Sequence, residues 1–297
     1  MPARANTSLV SDALREAADA IGHSRSIDHW RPVMARYDAE ELMTAVLATP
    51  LAAETRRRAL TPEQRRRFST MVSRRVSGEP VAQIVGAFSF RGLELRVRRG
   101  VFGPRSSSEL LAAEAIRALR RRPHAGVAVD VATGSGPVAL AVAHEVPAAE
   151  VWGVDISGDA VKLGRENARR LHIGNVRFKV SDMLDALPTR LRAQVDVLTI
   201  HPPYVARRDV RTLPREIREY EPLHSLTDGS DDGLGLVRRL AADAPEWLRP
   251  GGVLLVEIGT YLSRPAQAAL RRAGLSDVRW TKDSLGVTRV VSGRRGR

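Results

Sequence analysis

The sequence predicts a mixed α/β fold, with a mostly parallel sheet covered by helices on both faces and a helical domain before it. Three observations lead there. From about residue 107, apolar runs of strand length alternate with helical stretches. Residues 1–75 instead carry apolar residues at helical spacing. Between these regions Leu93-Glu94-Leu95-Arg96-Val97 alternates with period two, after Phe88-Ser89-Phe90 and the turn residue Gly92, as a hairpin does. The expected organisation is a helical domain over residues 1–78, a linking β-hairpin over 79–106 and an α/β domain over 107–297.

In the helical region, Leu9, Leu14, Ala17, Ala18 and Ile21 mark one apolar face, and Leu42, Met43, Val46 and Leu47 another. Thr61-Pro62-Glu63-Gln64 starts a helix: Thr61 can cap, Pro62 suits the first turn and Gln64 can reach back as in a capping box. Phe68, Met71, Val72 and Val76 supply its buried face, and Gly78 can end it. Strands are expected at Val127–Val131, 151–155, Val176–Val180, Val195–Ile200, 253–258, 278–280 and 288–291. The last two are close together, which suits an antiparallel edge pair.

The chain has 297 residues, 43% of them hydrophobic, which is enough for a proper core. The absence of cysteine excludes disulfides, thiolate catalysis and cysteine metal sites. No run of about 18 apolar residues occurs, so no membrane-spanning helix is expected. Residues 1–10 lack the charged-then-apolar order of a signal peptide, so the expected compartment is the cytoplasm. The formal charge of +13 is almost all arginine; Lys162, Lys179 and Lys282 are the lysines. The arginine clusters 56–58, 65–67, 120–122 and 294–297 are scattered without interleaved aromatics. They read as solvated surface, with an anionic or ribosomal partner as the competing reading. His224, Asp228, Asp231 and Asp232 lack metal-ligand spacing and read as a solvated loop, so no metal is expected.

Asp130-Val131-Ala132-Thr133-Gly134-Ser135-Gly136 ends the first strand of the α/β region and opens a helix, whose first N–H groups face an anion or carboxylate. Asp155 ends the second strand, placed to bind a ribose diol. Gly134, Gly136 and Ala139 also spell the G-x-G-x-x-A of nicotinamide-binding folds. Three features favour S-adenosylmethionine instead. Asp130 precedes the loop, where it can hold an ammonium group and would repel a pyrophosphate. Asp182 follows the third strand, where it can receive an adenine amino group. His201-Pro202-Pro203-Tyr204 follows the fourth, Val195–Ile200. Its prolines stiffen the backbone, and a polar side chain at that strand end sits where open α/β sheets bind ligands.

With these residues the chain resembles the HemK-type protein-(glutamine-N5) methyltransferases, a Rossmann-like, S-adenosylmethionine-dependent family that modifies glutamine amides of release factors and a ribosomal protein. The likeness includes Asp38-Ala39-Glu40-Glu41-Leu42, Gly78-Glu79-Pro80-Val81, Val101-Phe102-Gly103-Pro104-Arg105 and Glu109-Leu110. It continues through Glu221-Pro222, Asp232-Gly233-Leu234, Leu248-Arg249-Pro250-Gly251-Gly252, Glu257-Ile258-Gly259, Lys282-Asp283 and Thr288-Arg289-Val290-Val291. The resemblance implies that the helical domain helps recognise substrate. It implies a cofactor site of Asp130, Thr133, Gly134, Gly136, Asp155, Ile156, Asp182, Met183 and His201. The acceptor side would comprise His201, the Pro202 carbonyl, Pro203 and Tyr204, with Arg105, Glu109 and Glu221. Two departures fall on that side: His201 stands where the family has Asn, and Pro104-Arg105-Ser106-Ser107-Ser108-Glu109 lacks the family's second proline. Ala132 replaces a common Gly, a milder change.

Neutral imidazole offers one donor and one acceptor, so His201 either accepts an amide N–H, acts as general base toward a hydroxyl, amine or ring N–H, or makes a structural hydrogen bond. Glu221 either faces the substrate or pairs with an arginine. The expected activity is methyl transfer to nitrogen. A protein glutamine, as in a release factor, is the first acceptor. A small molecule methylated on N or O, with His201 as the base, is the second, and an RNA- or ribosome-associated S-adenosylmethionine-binding module is the third.

Overall fold

Packing divides the chain into two units, one reaching to Gly86 and including Thr212–Tyr220, the other comprising Ala87–Arg211 and Glu221–Arg297. The computed structural model describes residues 9–27, 32–122 and 125–296; the first eight residues and Arg297, which figured in the leader and charge readings, lie outside these.

The first unit holds α1 (Val10–Gly22), α2 (Pro32–Leu47), α3 (Ala53–Arg56), α4 (Pro62–Val76) and α5 (Val81–Val85). Leu14, Ala17 and Ile21 of α1 meet Leu42, Met43 and Val46 of α2 and Phe68 and Met71 of α4 in one apolar core. The capping box forms as the residues dictate: the Thr61 hydroxyl accepts from Gln64 N at 3.1 Å, and Gln64 Oε1 accepts from Thr61 N at 3.0 Å. Residues 79–86, expected in the linker, belong to this unit, because Val81 and Ile84 on α5 join its core.

The second unit begins with a hairpin, β1 (Ala87–Phe90) and β2 (Leu93–Arg96), and continues α6 (Ser108–Arg120), β3 (Val127–Val131), α7 (Pro137–Glu145), β4 (Glu150–Asp155), α8 (Gly158–Arg170), β5 (Val176–Val180) and β6 (Val195–Ile200). After α9 (Arg215–Tyr220) come α10 (Gly235–Trp247), β7 (Leu248–Glu257), α11 (Ser263–Arg272), β8 (Ser276–Lys282) and β9 (Thr288–Arg294). Seven strands make one sheet in the order β5-β4-β3-β6-β7-β9-β8. The first five are parallel, and β9 runs antiparallel to both β7 and β8, the expected edge pair. The two faces of the sheet feed different cores. Ala128, Val197, Val253 and Leu255 pack with α6 and α7, whereas Val129, Leu198, Leu254 and Val256 pack with α10 and α11. This alternation is the period-two geometry of a sheet covered on both sides, and it explains why β6 is buried at every position.

The α/β region is not continuous, contrary to the sequence reading. Thr212–Tyr220 leaves it for the helical unit. The cause is Arg75, which is only 4% exposed and needs charge partners: it donates to Asp38 at 2.6 Å and to Glu216 on α9 at 2.8 Å. Gln83 Nε2 adds a bond to the Tyr220 carbonyl at 3.2 Å.

Candidate functional site

The chain winds outward from β3 through β4 to β5, then returns to lay β6 on the other side of β3. That reversal opens a crevice beyond the carboxyl ends of β3 and β6, where ligands of open α/β sheets bind. The crevice is lined by the loops after β3, β4, β5 and β6 and by residues 100–105 ahead of α6.

On the β3–β4 side two carboxylates meet. Asp130 is buried, and its oxygens accept from the hydroxyls of Thr133 and Thr199, each at 2.6 Å. Burial pushes its pKa up to about 6 despite those hydroxyls. Asp155 accepts from the backbone N–H of Gly134 at 2.8 Å and of Ser157 at 2.9 Å. Burial raises its pKa too, against the pull of those N–H groups. Thr133, Gly134, Ile156, Asp182 and Met183 complete this side. Ile156 is 65% exposed, an apolar shelf beside two acids. The half-exposed Asp182 is held by Arg239 Nη1 at 2.8 and 2.9 Å, which leaves lone pairs for a further donor. Gly136 stands apart from the lining residues. It opens α7 at φ +87°, and a Cβ there would strike the Phe178 ring at 2.6 Å, so this glycine serves helix–sheet packing.

On the β6 side His201 sits in an aromatic corner. Phe102 meets its ring edge-on at 5.8 Å, and Tyr204 stacks on it at 5.7 Å. Ser108 Oγ lies 3.2 Å from His201 Nδ1, and Glu257 Oε2 lies 3.5 Å from the same nitrogen. Burial lowers the imidazole pKa, Glu257 opposes this and Arg105 adds to it, so the ring is neutral at neutral pH. Pro203 lines the crevice with His201, while Pro202 is buried behind it. Tyr204 forms an isolated β-bridge with Thr227.

The other expected acceptor residues divide. Arg105 lines the crevice, its guanidinium 4.3 Å above the Phe102 ring. Glu221 pairs with Arg105 at 2.8 Å and accepts from Gly103 N at 3.2 Å, with its side chain 2% exposed; of its two readings, the arginine pair is the one observed. Glu109 does not reach the crevice lining, because its carboxylate accepts from the Arg91 N–H at 3.2 Å. Phe102, Ser108 and Glu257 lie inside motifs of the resemblance but carry no role in the sequence reading, and Thr199 carries none either. The available signals were a charged residue ending an apolar strand at Glu257 and a hydroxyl inside the apolar run of β6 at Thr199. His224, read as loop, does line the crevice mouth. No metal-ligating cluster occurs among the described residues, and no helix among them is long and apolar enough to cross a membrane.

The crevice fits S-adenosylmethionine, which carries an ammonium, a sulfonium, a ribose diol and an adenine. Asp130 and Asp155 suit its cationic and diol groups, Ile156 and Met183 suit a flat base, and the buried Ser135 Oγ has no partner among the described residues. A pyrophosphate would instead meet two carboxylates, which removes the nicotinamide reading. Fold and site thus define a methyltransferase that uses S-adenosylmethionine as donor. Residues 124–259 match the family described as a methyltransferase domain, and residues 33–86 match the PrmC N-terminal domain family. A release factor glutamine methyltransferase of Geobacter sulfurreducens is 37% identical, over 80% of this chain and 81% of that protein. One from Cereibacter sphaeroides is 36% identical over 96% of this chain and 92% of its own length. A methyltransferase crystal structure from Pyrococcus furiosus shares the fold at a TM-score of 0.50 and 18% identity, covering 77% of this chain and 100% of that one. The chain belongs to the release factor glutamine methyltransferase family.

Proposed function

We propose that this enzyme methylates the side-chain amide nitrogen of a glutamine in a peptide chain release factor. The observation that carries this reading is the 36% identity to the Cereibacter sphaeroides release factor glutamine methyltransferase along 92% of that protein. The same likeness favours a protein acceptor over the small-molecule and RNA-associated readings. A release-factor substrate places the reaction in the cytoplasm, near ribosomes. The exposed arginines 57, 58, 66 and 67 of the helical unit are where we place docking of the protein partner.

When bound, S-adenosylmethionine supplies a methyl group activated by its sulfonium. Asp130 would hold the ammonium group, the Gly134 loop the carboxylate end, Asp155 the ribose and Asp182 the adenine amino group. An amide nitrogen is a weak nucleophile, so the residues around it must align it and exclude water. Phe102 and Tyr204 flank His201 and wall off solvent. The neutral imidazole accepts an amide N–H, which leaves electron density on nitrogen. The Arg105–Glu221 pair fixes the loop that carries Phe102.

The test is transfer of labelled methyl from S-adenosylmethionine to purified release factor, set beside a panel of small amines and RNA. Label in release factor alone is expected, and His201→Ala is expected to lose about 10²–10⁴-fold in turnover. Label only in a small molecule or RNA would overturn the proposal.

A further inference from the structure

Glu257 ends β7 inside the core, 2% exposed, and its Oε2 has no hydrogen-bond partner among the described residues. A buried carboxylate in that condition is costly unless a proton donor faces it. The imidazole of His201 faces it, with Nδ1 3.5 Å away, and the Tyr204 phenol also feels its charge. A lone pair on Nδ1 would oppose the carboxylate, so the favoured tautomer carries its proton there and leaves Nε2 as the acceptor. In that tautomer Nδ1–H donates to Ser108 Oγ on α6, 3.2 Å away, and the Glu257 carboxylate at 3.5 Å acts on the ring through its charge.

We infer that Glu257 is a positioning residue: it holds His201 in the Nδ1–H tautomer and stabilises the imidazolium formed during methyl transfer. The inference rests on the reading of the crevice as a methyl-transfer site. The amide nitrogen forms the new N–CH₃ bond as the C–S bond breaks and its electrons neutralise the sulfonium. The surplus proton on nitrogen passes to His201 Nε2. The imidazolium then sits against the Glu257 carboxylate until the proton is lost to solvent. The charged and titratable groups around the ring are Arg105, Tyr204 and Glu257, with Tyr261 and Arg289 acting on Tyr204. Burial and Arg105 disfavour the imidazolium, and Glu257 is the group that favours it.

The experiment compares wild type with Glu257→Gln, using release factor as acceptor. In wild type, kcat rises with pH through the His201 ionisation and then levels. In Glu257→Gln the rising limb moves to lower pH and the plateau falls about 10- to 100-fold, while KM and cofactor Kd stay within about twofold. An unchanged limb position overturns the inference, since a merely structural role lowers rate without moving it. So does a His201→Asn enzyme of full activity, flat across pH. If Glu257→Gln does not fold, ¹⁵N shifts of His201 in the wild-type enzyme decide: Nδ1 protonated is expected, and Nε2 protonated overturns it. Failure of wild type to methylate release factor would remove the substrate reading, while the tautomer measurement still judges Glu257.

Discussion

The backbone N–H of Gly134 donates to the Asp155 carboxylate across 2.8 Å, tying the loop after β3 to the end of β4. Asp155 thus shapes the loop and keeps lone pairs directed at the crevice. Asp155→Ala should weaken S-adenosylmethionine binding by about 1–3 kcal/mol, the cost of the lost buried hydrogen bonds. Calorimetric titration measures this. In the wild-type protein the same cofactor should raise Tm by mass action, and NAD should not.

Asp130 gives the cofactor site a pH dependence. Its folded-state pKa is about 6, so in the free protein the carboxyl is protonated below that value and ionised above it. A ligand ammonium prefers the ionised form. Affinity should therefore rise as pH increases toward 6 and level off above, with about a tenfold loss per unit on the acid side. Asp130→Asn should bind weakly at every pH and lose this acid limb. Binding titrations between pH 5 and 8 check both.

Gly233 passes directly beneath the acceptor loop at φ +71°, and a Cβ there would overlap the Tyr204 carbonyl oxygen. Gly233→Ala should cost about 1–3 kcal/mol in urea unfolding, from the strained backbone alone. Because the clash displaces Tyr204, which stacks on His201, turnover should fall more than cofactor affinity.

Much of this architecture was legible because the signals are local. β6 reads as a continuous apolar run since a central parallel strand is buried on both faces. The Thr61 capping box depends on four adjacent residues. The three acids at Asp130, Asp155 and Asp182 were legible because strand ends follow from strand runs. What escaped was set by partners far away in sequence. The departure of Thr212–Tyr220 to the helical unit follows from Arg75 meeting Glu216. Gly136 resembles a ligand-binding glycine until Phe178 is found against it. Glu109 resembles a site residue until Arg91 takes its carboxylate. Glu257 stood inside a recognised motif, but its closeness to His201 arises only from the parallel pairing of β6 with β7.

The arginines of the helical unit should report the size of the acceptor. Reversing Arg57, Arg58, Arg66 and Arg67 to Glu should raise KM for release factor and weaken its salt dependence, because docking charges act on encounter. Cofactor Kd should be unchanged. Kinetics at two salt concentrations distinguish this from general loss of fold, which would lower Tm and cofactor binding together.

The most direct measurement is tandem mass spectrometry of intact release factor after incubation with this enzyme and isotope-labelled S-adenosylmethionine. The account predicts one added methyl, located on the side-chain amide nitrogen of a glutamine, and its absence with His201→Ala. Label on another residue, or none on release factor while a metabolite becomes labelled, would contradict it.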